Sequence, residues 1–182
     1  MDVASDRGRS HYVKLLLQAG VNVNAATAGG TTALHLAART VWDHEGDTVR
    51  VLLEHGANAN VKTKDGRTPL GEAIGGYSRH CVTEMLMEHG ADVNTLTVRR
   101  NRSRDRSDSD SESSDDSKAC EGEETPLHLA IAKKKNAVAL LLLNNGADTN
   151  VINVKGQTPL VKAQEIGLEG VIARLSEMGV RA

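Results

Sequence analysis

Four times along this chain a glycine is followed four residues later by an asparagine: "GVNVN" from Gly20, "GANAN" from Gly56, "GADVN" from Gly90 and "GADTN" from Gly146. Eight residues after three of those asparagines stands a threonine, from Asn24 to Thr32, Asn60 to Thr68 and Asn150 to Thr158. The remaining interval, Asn94 to Thr125, is 31, so one insertion of 23 residues restores the period. Smaller insertions of three residues and one fall between Thr32 and Gly56 and between Thr68 and Gly90. The threonines open "TALHLA", "TPLGEA", "TPLHLA" and "TPLVKA", the last two 33 residues apart. Repetition at such a period constrains the chain to a stack of like units, because no single unit of that size can bury its own apolar face.

Each unit reads physically as a helical hairpin followed by a turn. Threonine is a good N-cap, and Pro69, Pro126 and Pro159 stand at the first helical position, where a missing amide costs nothing. Leu127, Ala130 and Ile131 fall on one helical face. The polar break "KKKN" from Lys133 allows a reversal into a second helix, "AVALLLLNN", which Gly146 ends by supplying a left-handed residue. Only 2% of the 182 residues are aromatic, with Trp42, Tyr12 and Tyr77 as the full set. The interior is therefore built from Leu, Val, Ile and Ala, which favours close-packed helices over a broad sheet.

The run T-P-L-H-x-A, a helix pair, then G-A-D-x-N resembles the ankyrin repeat family. The resemblance implies an all-α solenoid of helix-turn-helix units joined by short β-turn or hairpin loops. Its five repeats lie near 1–26, 27–62, 63–96, 120–152 and 153–182, with 97–121 as an insertion. Both ends cut into the pattern: Met1 falls where the first motif leucine belongs, and the chain stops at Ala182, just after Gly179. Gly71 replaces the motif histidine in the third repeat. Glu165, Glu169, Arg174 and Glu177 give the last helix pair the polar dressing of a cap.

Enzyme chemistry finds no support. The sequence has no phosphate-cradling glycine loop and no nucleophile elbow, and its seven histidines follow the repeat rather than cluster. His35 and His128 are expected to hydrogen-bond within their own helix starts, and His55 and His89 to sit at helix C-termini, where the dipole favours them. No catalytic residue, cofactor or metal is expected. Cys81 and Cys120 lack metal-ligand spacing and are too few for a disulfide framework. The longest apolar run, Ala137 to Leu143, is far short of a membrane span, and the N-terminus is not a signal peptide. With 22 basic against 24 acidic residues there is no global field for nucleic acid. The expectation is a cytoplasmic or nuclear protein.

Residues 97–121, "TVRRNRSRDRSDSDSESSDDSKACE", are nearly devoid of apolar side chains and read as disordered. Arg99, Arg100, Arg102, Arg104 and Arg106 against Asp105 make the first block net +4, while Asp108, Asp110, Glu112, Asp115 and Asp116 make 107–117 net −5. Three readings stand: a solvated loop, a phosphorylation switch, or a nuclear-import or nucleic-acid role for the arginine block, against which the adjoining acids offset its field within a Debye length. Ser107, Ser109 and Ser113 each have an acid three residues on, and Ser103 and Ser107 have an arginine three residues before. The family resemblance also implies a second modification. Asn94 and Asn150, each with a leucine eight residues before and an aspartate two before, match the preference of an asparaginyl hydroxylase.

The resemblance implies a non-catalytic interaction module, an adaptor or scaffold, that binds a protein partner through a concave face. An inhibitor of a kinase or other regulatory enzyme and a targeting array of a larger protein are alternatives. Aligning each unit on its threonine puts Thr31, Arg67, Glu124 and Gln157 just before it. Arg39, Thr40, Lys133 and Glu165 fall at the end of the first helix, and Lys64, Asp65 and Lys155 at the turn tips. These are the expected partner contacts, with Arg39, Arg67 and Lys133 foremost because long basic side chains reach across a groove. Trp42 is expected either to anchor a partner or to tuck over the adjacent helix.

Overall fold

The computed structural model describes residues 3–39, 46–76, 80–98 and 123–180, with side chains from Ser10 onward. A single helix, α1 (Val3–Gln18), comes first, and four helix pairs follow. They are α2 (Ala33–Arg39) with α3 (Asp47–Glu54), α4 (Pro69–Gly75) with α5 (His80–Glu88), α6 (Pro126–Ala132) with α7 (Asn136–Asn144), and α8 (Pro159–Ile166) with α9 (Glu169–Glu177). First helices pack on first helices, α2 to α4 to α6 to α8, and second helices on second, α1 to α3 to α5 to α7 to α9. The all-α solenoid expected from the repeat is the observed fold.

The punctuation residues do what their chemistry dictates. Thr68, Thr125 and Thr158 are N-caps whose hydroxyls accept from the amides of Gly71, His128 and Val161 at 3.0, 3.3 and 3.3 Å. The prolines that follow them occupy the first helical turn. Gly146, at φ 81°, is left-handed and closes α7, where an L side chain would be strained. The reversal inside "KKKN" is made at Lys134, the one described non-glycine residue with positive φ, at 56°. Lys135 does more than break a helix. Its Nζ donates to the carbonyls of Ala73 and Gly76 at 3.2 and 3.0 Å, satisfying the C-terminal end of α4 in the preceding repeat.

Between pairs the chain forms a short hairpin, and the hairpins carry the inter-repeat bonds. In each, the amide three residues past the asparagine donates to the carbonyl just before the threonine, as in Thr63 to Arg67 at 2.9 Å and Asn153 to Gln157 at 2.9 Å. In the interrupted hairpin this register is a two-stranded sheet: β1 (Thr97–Val98) is antiparallel to β2 (Glu123–Glu124), with Thr97 opposite Glu124. Thr97 and Val98, read from the sequence as the start of the insertion, therefore belong to the repeat framework. The insertion proper, 99–122, takes the place of one tip residue, Asp65 in the uninterrupted hairpin. That is 24 residues for one, which accounts for the excess of 23.

Asparagine makes the seam. Asn24 Nδ2 donates to Gly56 O at 3.1 Å while its Oδ1 accepts from Asn58 N at 2.8 Å. Asn60 repeats both bonds with Gly90 and Asp92, at 2.8 Å each. Asn94 reaches Gly146 O at 3.4 Å and Asp148 N at 2.8 Å, so the seam runs unbroken past the insertion. The apolar core is continuous from Leu34 to Leu175. At the other end, Leu16 stands where Leu52, Leu86, Leu142 and Leu175 stand in later repeats, yet it is exposed because α1 has no paired first helix among the described residues. Leu142 is fully buried between α6 and its neighbours. Leu142→Ala is expected to cost about 2–5 kcal/mol in a urea titration, the range for truncation of a buried leucine.

Candidate functional site

The two motif histidines are structural bridges. His35 Nδ1 accepts from the Thr32 amide at 3.2 Å and faces the Thr32 hydroxyl at 2.9 Å, and its Nε2 meets Arg67 O at 3.2 Å. His128 repeats this with the Thr125 hydroxyl at 2.8 Å and Gln157 O at 3.1 Å. A carbonyl only accepts, so Nε2 carries the proton and Nδ1 is bare. Burial, first among the causes, holds both imidazoles below their ordinary pKa. His55 and His89 bond the carbonyls of Val51 and Met85 at their helix ends, at 2.8 and 3.0 Å. Gly71 has no ring to offer, and Thr97 of the next hairpin fills the gap: its Oγ1 accepts from the Thr68 amide at 3.3 Å. A Cβ on Gly71 would overlap that Thr97 side chain.

Arg67, Glu124 and Gln157, each just before its threonine, are cross-strand partners of the buried residues Thr63, Thr97 and Asn153. Cross-strand partners share a face. That face points toward the first helices, which corrects the expectation for Glu124. It is only 7% exposed, and one oxygen accepts from Lys162 Nζ of the next repeat at 2.6 Å while Oε2 is buried with no hydrogen-bond partner among the described residues. Arg67 is also turned inward, with NH2 at 2.7 Å from Asp65 and NH1 at 3.2 Å from Glu72 on α4. Gln157 donates to Glu165 at 2.9 Å, and Thr31 is half-buried. Of the other expected contacts, Lys64, Asp65, Lys155 and Glu165 are exposed and Arg39 and Lys133 half-buried. Thr40, Trp42, Ser103, Ser107, Ser109, Ser113 and the arginine block lie outside the described residues.

Asn94 is engaged at both ends of its amide, and Leu86 and Leu142, which an asparaginyl hydroxylase would read, are fully buried. The Thr95 hydroxyl and then the Asn94 amide hold Asp92 below the usual carboxylate range. Such an enzyme would have to meet these repeats opened.

The opposite face of the hairpins includes Lys64, an expected contact, together with residues that the sequence did not single out. Residues two and four past each asparagine point to solvent: Ala26 and Ala28, Lys62 and Lys64, Leu96 and Val98, Ile152 and Val154. Leu96 is 37% exposed, Ile152 62% and Val154 63%. The signal that would have found them is the alternation around buried Thr63, Thr97 and Asn153.

A family model for ankyrin repeats in three copies matches residues 1–97, and a second, for ankyrin repeats in many copies, matches 113–163. The chain is an ankyrin-repeat protein. Ankyrin repeats are in general protein–protein interaction modules. A segment of 54 residues, 30% of this chain, is 46% identical to the E3 ubiquitin-protein ligase XBAT33 of Arabidopsis thaliana. It covers 10% of that ligase. Among the described residues of the ankyrin chain, no helix is long and apolar enough to cross a membrane.

Two predictions follow from the buried polar groups. Folded-state pKa values lowered below the unfolded value of about 6.5 mean that the histidines contribute stability above that pH and lose it as pH falls through their folded values. The urea midpoint is expected to drop between about pH 7.5 and about pH 5. That drop should shrink when His35 and His128 are both replaced by Asn. Lys162→Met strands the Glu124 carboxylate, with an expected cost of about 3–5 kcal/mol. Adding Glu124→Leu should recover a large part of that loss in the same titration.

Proposed function

We propose that this ankyrin array is a non-catalytic adaptor or scaffold that binds a protein partner through its concave face and the bordering hairpins. The observation that carries the reading is the division of labour between positions. Buried positions recur as Leu and Ala, while exposed hairpin and helix-end positions change character from repeat to repeat on a rigid backbone. A second reading, a targeting array within a longer protein, draws support from the ligase whose 54-residue segment this chain resembles.

The insertion supplies regulation in this proposal. It is spliced in at a hairpin tip, between Val98 and Glu123, beside the surface a partner would use. Phosphate on Ser107, Ser109 or Ser113, with Ser103 a further candidate, adds about −1.5 to −2 charges each next to the arginine block. Hydroxylation of Asn94 and Asn150 is a separate proposal and requires local opening. The protein acts in the cytoplasm or nucleus.

The test is affinity capture from cells followed by binding measurements with purified partner. Arg39→Ala with Lys133→Ala should weaken binding while leaving the melting temperature in place; Arg67 is avoided because its loss would break its ion pairs with Asp65 and Glu72. Unchanged binding would remove the helix ends from the interface. Ser107, Ser109 and Ser113 changed together to Ala should abolish any difference between kinase-treated and untreated protein. Equal affinity of treated and untreated wild type would refute the switch.

A further inference from the structure

We infer that α1 is a closing strap: the chain bends at Gly8, and residues 1–7 fold back as a first helix over Leu16 and Leu36. The structure holds the open form, in which α1 runs straight through Gly8. Closing turns the apolar N-terminal face of the array into a covered one, whichever surface a partner uses.

Register places the hinge. In the fourth repeat the chain reverses at Lys134, φ 56°, eight residues before buried Leu142, and in the fifth at Gly167, φ 77°, eight residues before buried Leu175. Gly8 lies eight residues before Leu16. The reversal needs a left-handed residue, and glycine adopts that conformation without the strain that Lys134 bears. Upstream the match continues. Met1, Val3 and Ala4 stand seven, five and four residues before Gly8, as buried Leu127, Leu129 and Ala130 stand before Lys134 and buried Leu160, Lys162 and Ala163 before Gly167. Residues 1–7 thus carry the spacing of a first helix, and their number matches the seven residues of α2, α4 and α6. Glycine within a straight helix, by contrast, weakens it.

The open seat names its occupant. Leu16 is 56% exposed, while its counterparts Leu52, Leu86, Leu142 and Leu175, each on a helix paired with a first helix, are buried. Tyr12, one turn earlier on the same face, is exposed where Val82, Val138 and Val171 are buried. Leu36 on α2 is 48% exposed, yet Glu72, Leu129 and Lys162, also four residues past their threonines, are buried. Those three belong to helices that pack on a first helix before them, α4 on α2, α6 on α4 and α8 on α6. One element covers all these positions at once: a first helix ahead of α2 and paired with α1. Residues 1–7 are tethered to that place through Gly8, which gives them a high effective concentration over any separate chain.

The test is the distance between nitroxides on Asp2→Cys and Gln18→Cys in the full chain, with Cys81 and Cys120 changed to Ser, by pulsed electron paramagnetic resonance. A straight helix separates these positions by about 24 Å at a rise of about 1.5 Å per residue, and a helix hairpin by about 10 Å, the spacing of packed helices. The short distance is expected as a resolved population. Gly8→Ala favours the straight helix and disfavours the left-handed turn, and should lower the ratio of short to long distance about tenfold or more. Leu16→Lys with Leu36→Lys should lower it likewise; both side chains are exposed in the open form, so circular dichroism should show the array still folded. A long distance alone in the wild type overturns the inference. So does a short distance that Gly8→Ala leaves unchanged. A short distance that disappears on dilution with unlabelled chain overturns it too, since the seat then holds a second copy.

Discussion

Helices of seven to nine residues, as all but the first are here, do not persist alone in water. Everything else in this molecule answers to that constraint. A pair of such helices exposes an apolar face on both sides, so each repeat is stable only where a neighbour covers it. The energetic unit is the interface between repeats rather than the repeat itself. Polar groups reinforce the same interfaces. Asn24, Asn60 and Asn94 each give one bond and take one from the next repeat, and His35 and His128 bridge their own helix start to the next hairpin. Lys135 adds two bonds in the reverse direction, from repeat four back to the end of α4.

Dependence on neighbours also explains how the array absorbs change. When Gly71 takes the histidine's place, the orphaned Thr68 amide is satisfied by Thr97, a residue of the following hairpin. The repair works only because Gly71 has no side chain where Thr97 enters. A long insertion is absorbed for a related reason. It replaces a single tip residue, outside both the asparagine seam and the helix stack, and loop closure grows costly only slowly with length.

Helix starts, helix ends and the repeat count were legible in the sequence because each rests on a residue whose local chemistry decides it: Thr and Pro at the caps, left-handed Gly at the ends. The hairpin faces were not. A strand arm two or three residues long gives too few alternations to show which side is inward, and aligning the units on their threonines places Thr31, Arg67, Glu124 and Gln157 in the hairpins without saying which face they take. The Glu124–Lys162 pair joins residues 38 apart, and only the stacking of repeats brings them together. Lys135 looked like one of three lysines in a polar break, since nothing local distinguishes a solvated ammonium from one that caps a neighbouring helix. The exposure of Ile152 and Val154 was hidden by the opposite habit of mind, which assigns aliphatic residues to the core.

The fourth hairpin thus inverts the usual distribution, with Glu124 buried on the inward face and Leu96 exposed on the outward one. Inward charge is tolerable because Arg67 meets two carboxylates and Lys162 meets one, so each buried ion has a counter-ion within its own or the adjacent repeat. Such pairs add little net stability over apolar replacements, but they fit only one stacking register and penalise any other, since a slipped repeat would leave Glu124 buried without Lys162. Outward aliphatics have no corresponding structural reward. Lysine stands at the same positions one repeat earlier, so the outward face, unlike the inward one, is not fixed by the stacking of the chain on itself.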